Sequence, residues 1–428
     1  MASFSFRAGN AAKLLRAPLY ALGRLITLLV PRGERWVFGC GAGIGDGPLE
    51  VWRVAQEDGV GAVWLVADDA EEREAAAVGI PTIRRDSWRG FWATVRARVI
   101  VVAFGLGDVN PYGASGAFVV QLWHGIPLKR IGMDSPETTR SPVPFARGLV
   151  SALLAFAYAR SARRIDLMPA SHHLIRGRLE SAFELPHGRV LVTGEPRADP
   201  LSTGDAQERR ARARRDIAEA TGDIPDDAPV VLYAPTWRDG AADPAVPSVH
   251  EWTLIRAVLE RHGAILLVRS HRLGAGSYEP PFETPFVRDL GAERLRDITP
   301  ALAGCDALIT DYSSLAFDAA LVPLPVIFFA PDAEEYAATR GLYGRYEAVA
   351  GDDYAHDWSA AAERLDRVLG DSGERDALVA RSEALSERVH AYCDGGNARR
   401  VYDAVRARVD QDEHGRRNAA RAEGTSHG

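Results

Sequence analysis

Two successive series of short, almost wholly apolar runs constrain this chain more than any other feature. The first reads "RWVFGC", "AVWLVA", "ARVIVVAFG", "AFVVQLW", "LMPAS" and "RVLVTG"; after a polar interval from Leu201 to Pro229 comes a second: "VVLYAPT", "AILLVRSH", "PFVRDL", "DALITD" and "PVIFFA". Runs of that length without polar alternation are strands covered on both faces, and helix-length stretches between them make parallel βαβ units. An α/β chain follows, with two doubly wound, Rossmann-like domains facing a cleft. The expected boundaries are 34–205 for the first domain and 206–409 for the second, preceded by a leader over 1–33 and followed by a disordered polar tail over 410–428. The length of 428 residues agrees, at about 150 residues per domain.

The formal net charge of -7, without a basic domain or stripe, argues against a nucleic-acid partner. Cys40, Cys305 and Cys393 are too dispersed for a zinc site or a disulfide framework, which fits a reducing compartment, and Cys305 reads as a small core residue. The leader is the compositional exception: Arg7, Lys13, Arg16, Arg24 and Arg32 are the only charges before Glu34. Wound as a helix, Lys13, Arg16 and Arg24 share an arc of roughly 80°, opposite Leu14, Leu15, Leu19, Leu22, Leu25, Ile26 and Leu29. Its apolar stretch is shorter than the about 20 residues a membrane span needs, and no cleavage site follows. Two readings stand: a basic amphipathic helix lying on an anionic membrane surface, or a helix docked on the first domain with Pro18 bending its start.

In doubly wound sheets ligands bind beyond the carboxyl ends of the strands. Polar residues gather at those ends: His124, Ser171 with His172, Arg197, Thr236 to Asp239, His271, and Asp311 to Ser314. In "ALITDYSSLAFDAALV" a buried strand ends at Asp311 and a helix is expected from about Ser314. Ser313 and Ser314 then stand at a helix N-terminus, a site for phosphate or simply an N-cap. In "RSHRLG", Arg269, His271 and Arg272 offer positive charge to a leaving phosphate, or form a solvated strand end. "YAPTWRDG" puts Thr236 and Trp237 where a base or ribose would sit, although a tryptophan there also suits a core. In "QLWHGIPLKRIGMD", Gly125 and Pro127 turn the chain sharply at His124, which can take a proton from a hydroxyl or serve only as a strand-end histidine. "GCGAGIGDG" lacks the acidic residue that completes a dinucleotide motif, and no Walker loop, serine elbow or carboxylate-rich metal motif is present. A transfer reaction without metal or cofactor is expected.

Taken together, "RWVFGCGAG", "QLWHGIPLKRIGMD", "VTGEPRADPL", "VLYAPTWRDG", "LLVRSHR", "DALITDYSSLAFDAALVPLPVIFF", "EEYAATRGLY" and "YCDGGNARRVYDAV" resemble, in order, the motifs of the CDP-glycerol glycerophosphotransferases, the teichoic-acid primases and polymerases of bacterial envelopes. The resemblance runs from about Arg35 to Val405. It implies a fold similar to GT-B glycosyltransferases, working peripherally at the cytoplasmic membrane face without metal. It implies transfer of glycerol phosphate, or a related alditol phosphate, from CDP-glycerol to a hydroxyl of a lipid-linked glycan acceptor, releasing CMP. The family's base then falls on His124, its second histidine on His271, and its pyrophosphate turn on Asp311 to Ser314. Arg340 in "TRGLY" and Arg197 and Asp199 in "PRAD" match motif positions, with cleft-lining roles, while Lys129 and Arg130 are expected to meet an anionic acceptor. One departure is Arg272, where the family has proline after the second histidine. The alternatives are a GT-B glycosyltransferase using a nucleotide sugar and an inactive, membrane-docked binding protein.

Overall fold

The computed structural model describes residues 17–140, 147–236, 243–269 and 278–425, without the side chains of 17, 147 and 412–425. It opens with α1 (Ala17–Leu29), then alternates β1 (Trp36–Gly39), α2 (Asp46–Glu57), β2 (Ala62–Val66), α3 (Asp69–Ala77), β3 (Thr82–Arg84), α4 (Trp88–Val95), β4 (Val99–Val102) and β5 (Phe118–Gln121). These five strands form one parallel sheet in the order β3-β2-β1-β4-β5, with Trp36 opposite Ala62 on one side and Val99 on the other. Helix α5 (Arg147–Ala162) leads to β6 (Met168–Ala170), α6 (His173–Phe183) and β7 (Val190–Val192). The β6-β7 pair is a separate two-stranded sheet, tied to β5 through the bridge between Val120 and Leu167.

Helix α7 (Ala206–Thr221) crosses the polar interval and delivers the chain to β8 (Val230–Ala234). Next come α8 (Val249–His262), β9 (Ile265–Val268), β10 (Val287–Asp289), β11 (Ala307–Thr310), the five-residue α9 (Leu315–Ala319) and β12 (Val326–Phe328). The second sheet repeats the first, in the order β10-β9-β8-β11-β12, all parallel. Local chemistry sets the helix ends: Asp68 and Asp205 accept amides at the starts of α3 and α7, and Ser248 with Glu251 forms a reciprocal capping box on α8. Gly263 ends α8 at a left-handed φ of 59°.

The remaining helices are α10 (Ala333–Arg340), α11 (Glu347–Ala350), α12 (Trp358–Gly370), α13 (Ser372–Val389) and α14 (Asn397–Thr425). Helix α14 returns to the first domain. Ala398, Val401, Tyr402, Val405 and Val409 are buried in one cluster with Trp36, Phe38 and Trp52, and the Tyr402 ring lies 5.4 Å from that of Trp36. Its first turn is held by Asp199, whose carboxylate accepts the Asn397 and Ala398 amides at 3.0 and 2.7 Å. Gly194 makes this docking possible, because any Cβ there would fall 1.9 Å from Asn397 Oδ1. Helix α14, whose first part lies within the 206–409 span expected for the second domain, thus packs on the core of the first. The tail expected to be disordered from 410 continues that helix to Thr425.

Helix α1 is docked and exposed at once. Gly23 lies against the Tyr112 carbonyl and Tyr20 packs 4.7 Å from the Tyr112 ring, while Leu28 and Leu29 remain 74% and 76% exposed. Arg32 fastens the exit of the helix through the Thr94, Ala97 and Gly113 carbonyls. Of the expected basic arc, Lys13 and Arg16 lie outside the described residues. No described helix is long and apolar enough to cross a membrane.

Candidate active site

Strand β5 ends at Gln121, and the chain then turns abruptly. Trp123 has a left-handed φ of 66°, uncommon for an aromatic residue, and Gly125 follows at 118°. Such a conformation persists only where neighbours enforce it. The Trp123 ring is wedged edge-on against Phe183 at 5.0 Å, and the His124 imidazole is sandwiched between Phe104 at 4.5 Å and Trp123 at 4.1 Å. Phe104 is held in place by Asp108, whose carboxylate accepts the Ala103 and Phe104 amides. Burial, aided by the positive charges of Arg197 and Lys129, lowers the His124 pKa to about 3. The ring is therefore neutral at physiological pH. Its Nδ1 is buried and has no hydrogen-bond partner among the described residues.

The second domain brings its Asp-Tyr-Ser-Ser turn to the same place. A Cβ on Gly125 would lie 2.8 Å from Ser314 Oγ and 3.2 Å from Arg197 Nη1, so the two turns touch and only glycine fits between them. Ser313 Oγ accepts the Leu315 amide at 3.2 Å. The helix that follows is only five residues long, Leu315–Ala319, which leaves only a small helix dipole behind the serines. Asp311 is buried at the tip of β11 and accepts the Thr236 amide at 2.9 Å and the Thr236 hydroxyl at 2.5 Å. These two predicted binding residues thus splice the tips of β8 and β11.

Beneath the junction sits Arg197. Its Nη1 donates to Asp318 at 2.6 Å and its Nη2 to Thr299 Oγ1 at 2.7 Å, and Nε lies 3.5 Å from Asp46. Asp46 Oδ1 in turn accepts the Gly47 amide, and the Asp46 amide donates to Asp297. Burial pushes the Glu195 carboxyl up to about 8 and Asp46 up to about 6, with Arg197 opposing both shifts. The importance of Asp46 and Asp318 was not read from the sequence. The signal available was "GIGDG" at the end of the first strand, where Gly43 and Gly45 lie against Arg296 and Asp297 of the second domain.

Other predicted residues are placed differently. Arg269, expected to meet donor phosphate, donates its guanidinium to the Leu290, Leu295 and Arg296 carbonyls and so braces the loop after β10. Lys129 and Arg130 lie in a short antiparallel pairing with the second domain: Lys129 is bridged to Leu342, the Arg130 amide donates to Gly341 and the Tyr343 amide to Leu128. Arg130 Nε also reaches the Leu342 carbonyl, at 3.4 Å. Arg340 ends α10 immediately before this paired segment. His271 and Trp237, and Arg272 with them, lie outside the described residues. Among the described residues no cluster of three His, Cys, Asp or Glu side chains could hold a metal ion.

The profile of the CDP-Glycerol:Poly(glycerophosphate) glycerophosphotransferase family matches residues 48–407, most of both domains. The chain belongs to this family. It is 28% identical over 281 residues to the teichoic acid glycerol-phosphate transferase of Staphylococcus aureus (strain NCTC 8325 / PS 47), covering 63% of this chain and 66% of that protein. To the teichoic acid poly(glycerol phosphate) polymerase of Bacillus subtilis (strain 168) it is 31% identical over 277 residues, covering 64% of this chain and 35% of the polymerase. The match thus spans just under two thirds of the transferase and about a third of the polymerase. Among solved structures, the wall teichoic acid polymerase TagF superposes with a TM-score of 0.72 at 21% identity, over 95% of this chain and 99% of that one. A UDP-GlcNAc 2-epimerase from Neisseria meningitidis shares the two-domain fold more distantly, with a TM-score of 0.52 at 10% identity. In this chain the turn bearing His124 and the Ser313–Ser314 turn are among the parts that meet across the two domains.

Proposed function

We propose that the chain transfers glycerol phosphate, or a closely related alditol phosphate, from a CDP-activated donor to a hydroxyl of a lipid-linked acceptor, releasing CMP. The observation that carries this reading is the contact of the His124–Gly125 turn with Ser314 across the domain boundary. It brings the turn that carries the neutral imidazole of His124 against a turn of serine hydroxyls, the groups needed to accept a proton and to hold a phosphate. The acceptor oxygen attacks the phosphorus that bears glycerol. A new P–O bond forms, the bond to CMP breaks with its electron pair on the CMP oxygen, and the hydroxyl proton passes to His124.

A histidine with so low a pKa is a poor base at rest. Two negative charges on a bound diphosphate nearby would raise it toward neutrality, so donor binding itself prepares the base. The relatives support the substrate class: their names specify glycerol-phosphate and ribitol-phosphate transfer, and a TagF variant was soaked with CDPG. The donor groups expected from His271 and Trp237 complete this reading as proposals.

The lipid-linked acceptor and the peripheral membrane position rest on exposed apolar side chains. Leu22, Leu25, Leu28 and Leu29 of α1 and Leu149, Leu153 and Phe156 of α5 are all exposed on the first domain. Arg164, next to α5, donates to Ser115, the residue whose carbonyl Arg32 also holds. Its pKa is lowered by burial and by Arg160 and Arg24, so arginines from both segments share this region. An apolar face with a basic border suits an anionic lipid surface.

The test is CMP release from CDP-glycerol with a lipid-linked acceptor, comparing wild type with His124→Ala. Loss of at least about a hundredfold in kcat, with folding intact, is expected for a missing general base; an unchanged rate overturns the assignment. Calorimetry with CDP-glycerol, CDP-ribitol and a UDP-sugar distinguishes alditol-phosphate transfer from glycosyl transfer.

A further inference from the structure

Arg197 is buried where three elements converge, and each of its contacts leads to a different part of the proposed reaction centre. Asp318 lies on α9, four residues beyond Ser314. Thr299 belongs to the second domain and is fixed by Asp297, which accepts its amide at 2.9 Å. Asp46 opens α2, whose Gly47 lies against Leu122 and the Arg197 backbone. The Nη1 atom that binds Asp318 is also the one that a Cβ on Gly125 would approach to 3.2 Å. One planar fork thus touches the His124 turn, holds the helix of the second domain behind Ser314, and lies against the start of α2 in the first domain.

We propose that Arg197 is a positioning residue for the transfer: it sets the distance between the turn carrying His124 and the turn carrying Ser313 and Ser314. This rests on the proposed function and goes beyond it, since Arg197 makes no demand on the donor or acceptor directly. The geometry requires arginine. Two donors at fixed spacing reach Asp318 and Thr299 together, which a lysine ammonium on a flexible stem does not do. The surroundings explain its retention in so dry a place. The Asp318 and Asp46 carboxylates both face this one guanidinium, with the Glu195 carboxyl close by, and Glu195 Oε2 and Asp318 Oδ1 have no hydrogen-bond partner among the described residues. A neutral side chain here would leave those carboxylates uncompensated and risk unfolding.

Arg197→Lys and Asp318→Asn are therefore the informative variants, because each keeps bulk while weakening the fork: lysine loses one of the two donor arms, and asparagine loses the charge that Nη1 faces. A displacement of about 1 Å between base and phosphate is expected to lower kcat about a hundredfold. The Kd for CDP-glycerol, measured by calorimetry, should stay within about threefold, and the double variant should be no slower than the worse single one, as for two ends of one interaction. A kcat within threefold of wild type in both variants, or equal losses in kcat and donor affinity, overturns the proposal. Hydrogen exchange provides a second reading that does not depend on the reaction. In Asp318→Asn the amides of 123–126 and 312–316 should exchange at least about tenfold faster while those of 36–39 and 230–234 do not change. If wild-type protein releases no CMP from CDP-glycerol, the proposed function fails and exchange alone decides; unaltered exchange in both turns then overturns the role of Arg197.

Discussion

Gly125 and Ser314 belong to different domains, yet a single added carbon on the first would lie 2.8 Å from the hydroxyl oxygen of the second. The glycine is required twice over, for that approach and for its φ of 118°. Gly125→Ala is expected to destabilise the fold by about 1–3 kcal/mol through strain. It should also lower the rate of CMP release, because the alanine methyl must push the serine turn away from His124. Denaturant unfolding and steady-state kinetics on the same preparation check both; a variant of normal stability and rate would show that the two turns separate freely.

The lowered pKa of His124 predicts an unusual pH profile. The free protein carries a neutral imidazole down to about pH 3, so kcat/KM should show no acid limb near 6.5 arising from this residue. With the anionic donor bound, the pKa rises, and kcat should fall on the acid side at a higher pH than kcat/KM does. An acid limb at the same pH in both profiles would contradict the sequence of events proposed for the base.

Glu195 gives a stability prediction of definite sign. Burial raises its folded pKa to about 8 from an ordinary value of 4.5. Between those values the folded protein holds a proton that the unfolded chain does not, so this contribution is fully present below about pH 4.5 and is lost as pH rises through 8. The slope reaches at most about 1.4 kcal/mol per pH unit for one proton. Glu195→Gln, which mimics the protonated form, should flatten stability against pH across this window and be the more stable protein above pH 8. Urea titrations at pH 5, 7 and 9 measure it; parallel curves for both proteins would place the titrating proton elsewhere in the Arg197 cluster.

Both sheets were legible because their strands are short apolar runs, such as "VIVV" over Val99–Val102, buried on both faces. His124 was legible for a related reason: a strand end and a glycine fix where a side chain must emerge. The partners of Arg269 were not, since lying at the carboxyl end of β9 does not say which way a long side chain bends, and here three carbonyls accept from it. Arg197 was recognisable as part of a motif, but its role was hidden because its ion-pair partner Asp318 is 121 residues away. For α14 the sequence left both domains open as packing partners. An apolar helical stripe fits either core, and the choice depends on Asp199 and Gly194, which lie far upstream of Asn397.

The exposed leucines predict selective membrane binding. Replacing Leu25 and Leu28 on α1, or Leu153 and Phe156 on α5, with glutamate should abolish sedimentation with vesicles containing phosphatidylglycerol, while leaving the melting temperature within a few degrees because these side chains are exposed already. Added salt should weaken wild-type binding only in part, since the apolar contribution is not screened. Unchanged sedimentation of both double variants would remove the membrane reading of this face without touching the transfer chemistry.

The loop following His124 reaches the second domain through Asp134, and this contact can be cut cleanly. Asp134 accepts hydrogen bonds from the Tyr343 hydroxyl at 2.5 Å and the Ser181 hydroxyl at 2.6 Å, while Arg178 donates to the Pro127 and Tyr343 carbonyls. Burial and the adjacent Asp134 carboxylate push the Tyr343 hydroxyl well above its ordinary pKa, so it remains a donor throughout the working range. Tyr343→Phe removes one hydrogen bond to a charged acceptor, a loss of about 1.5–3 kcal/mol. The pairing of 128–130 with 341–343 should then open more often, seen as faster amide exchange at Arg130 and Tyr343. Because that pairing fixes the chain just beyond His124, kcat should fall further than donor affinity. Equal exchange in variant and wild type would mean that the backbone pairing alone holds the two domains at this edge.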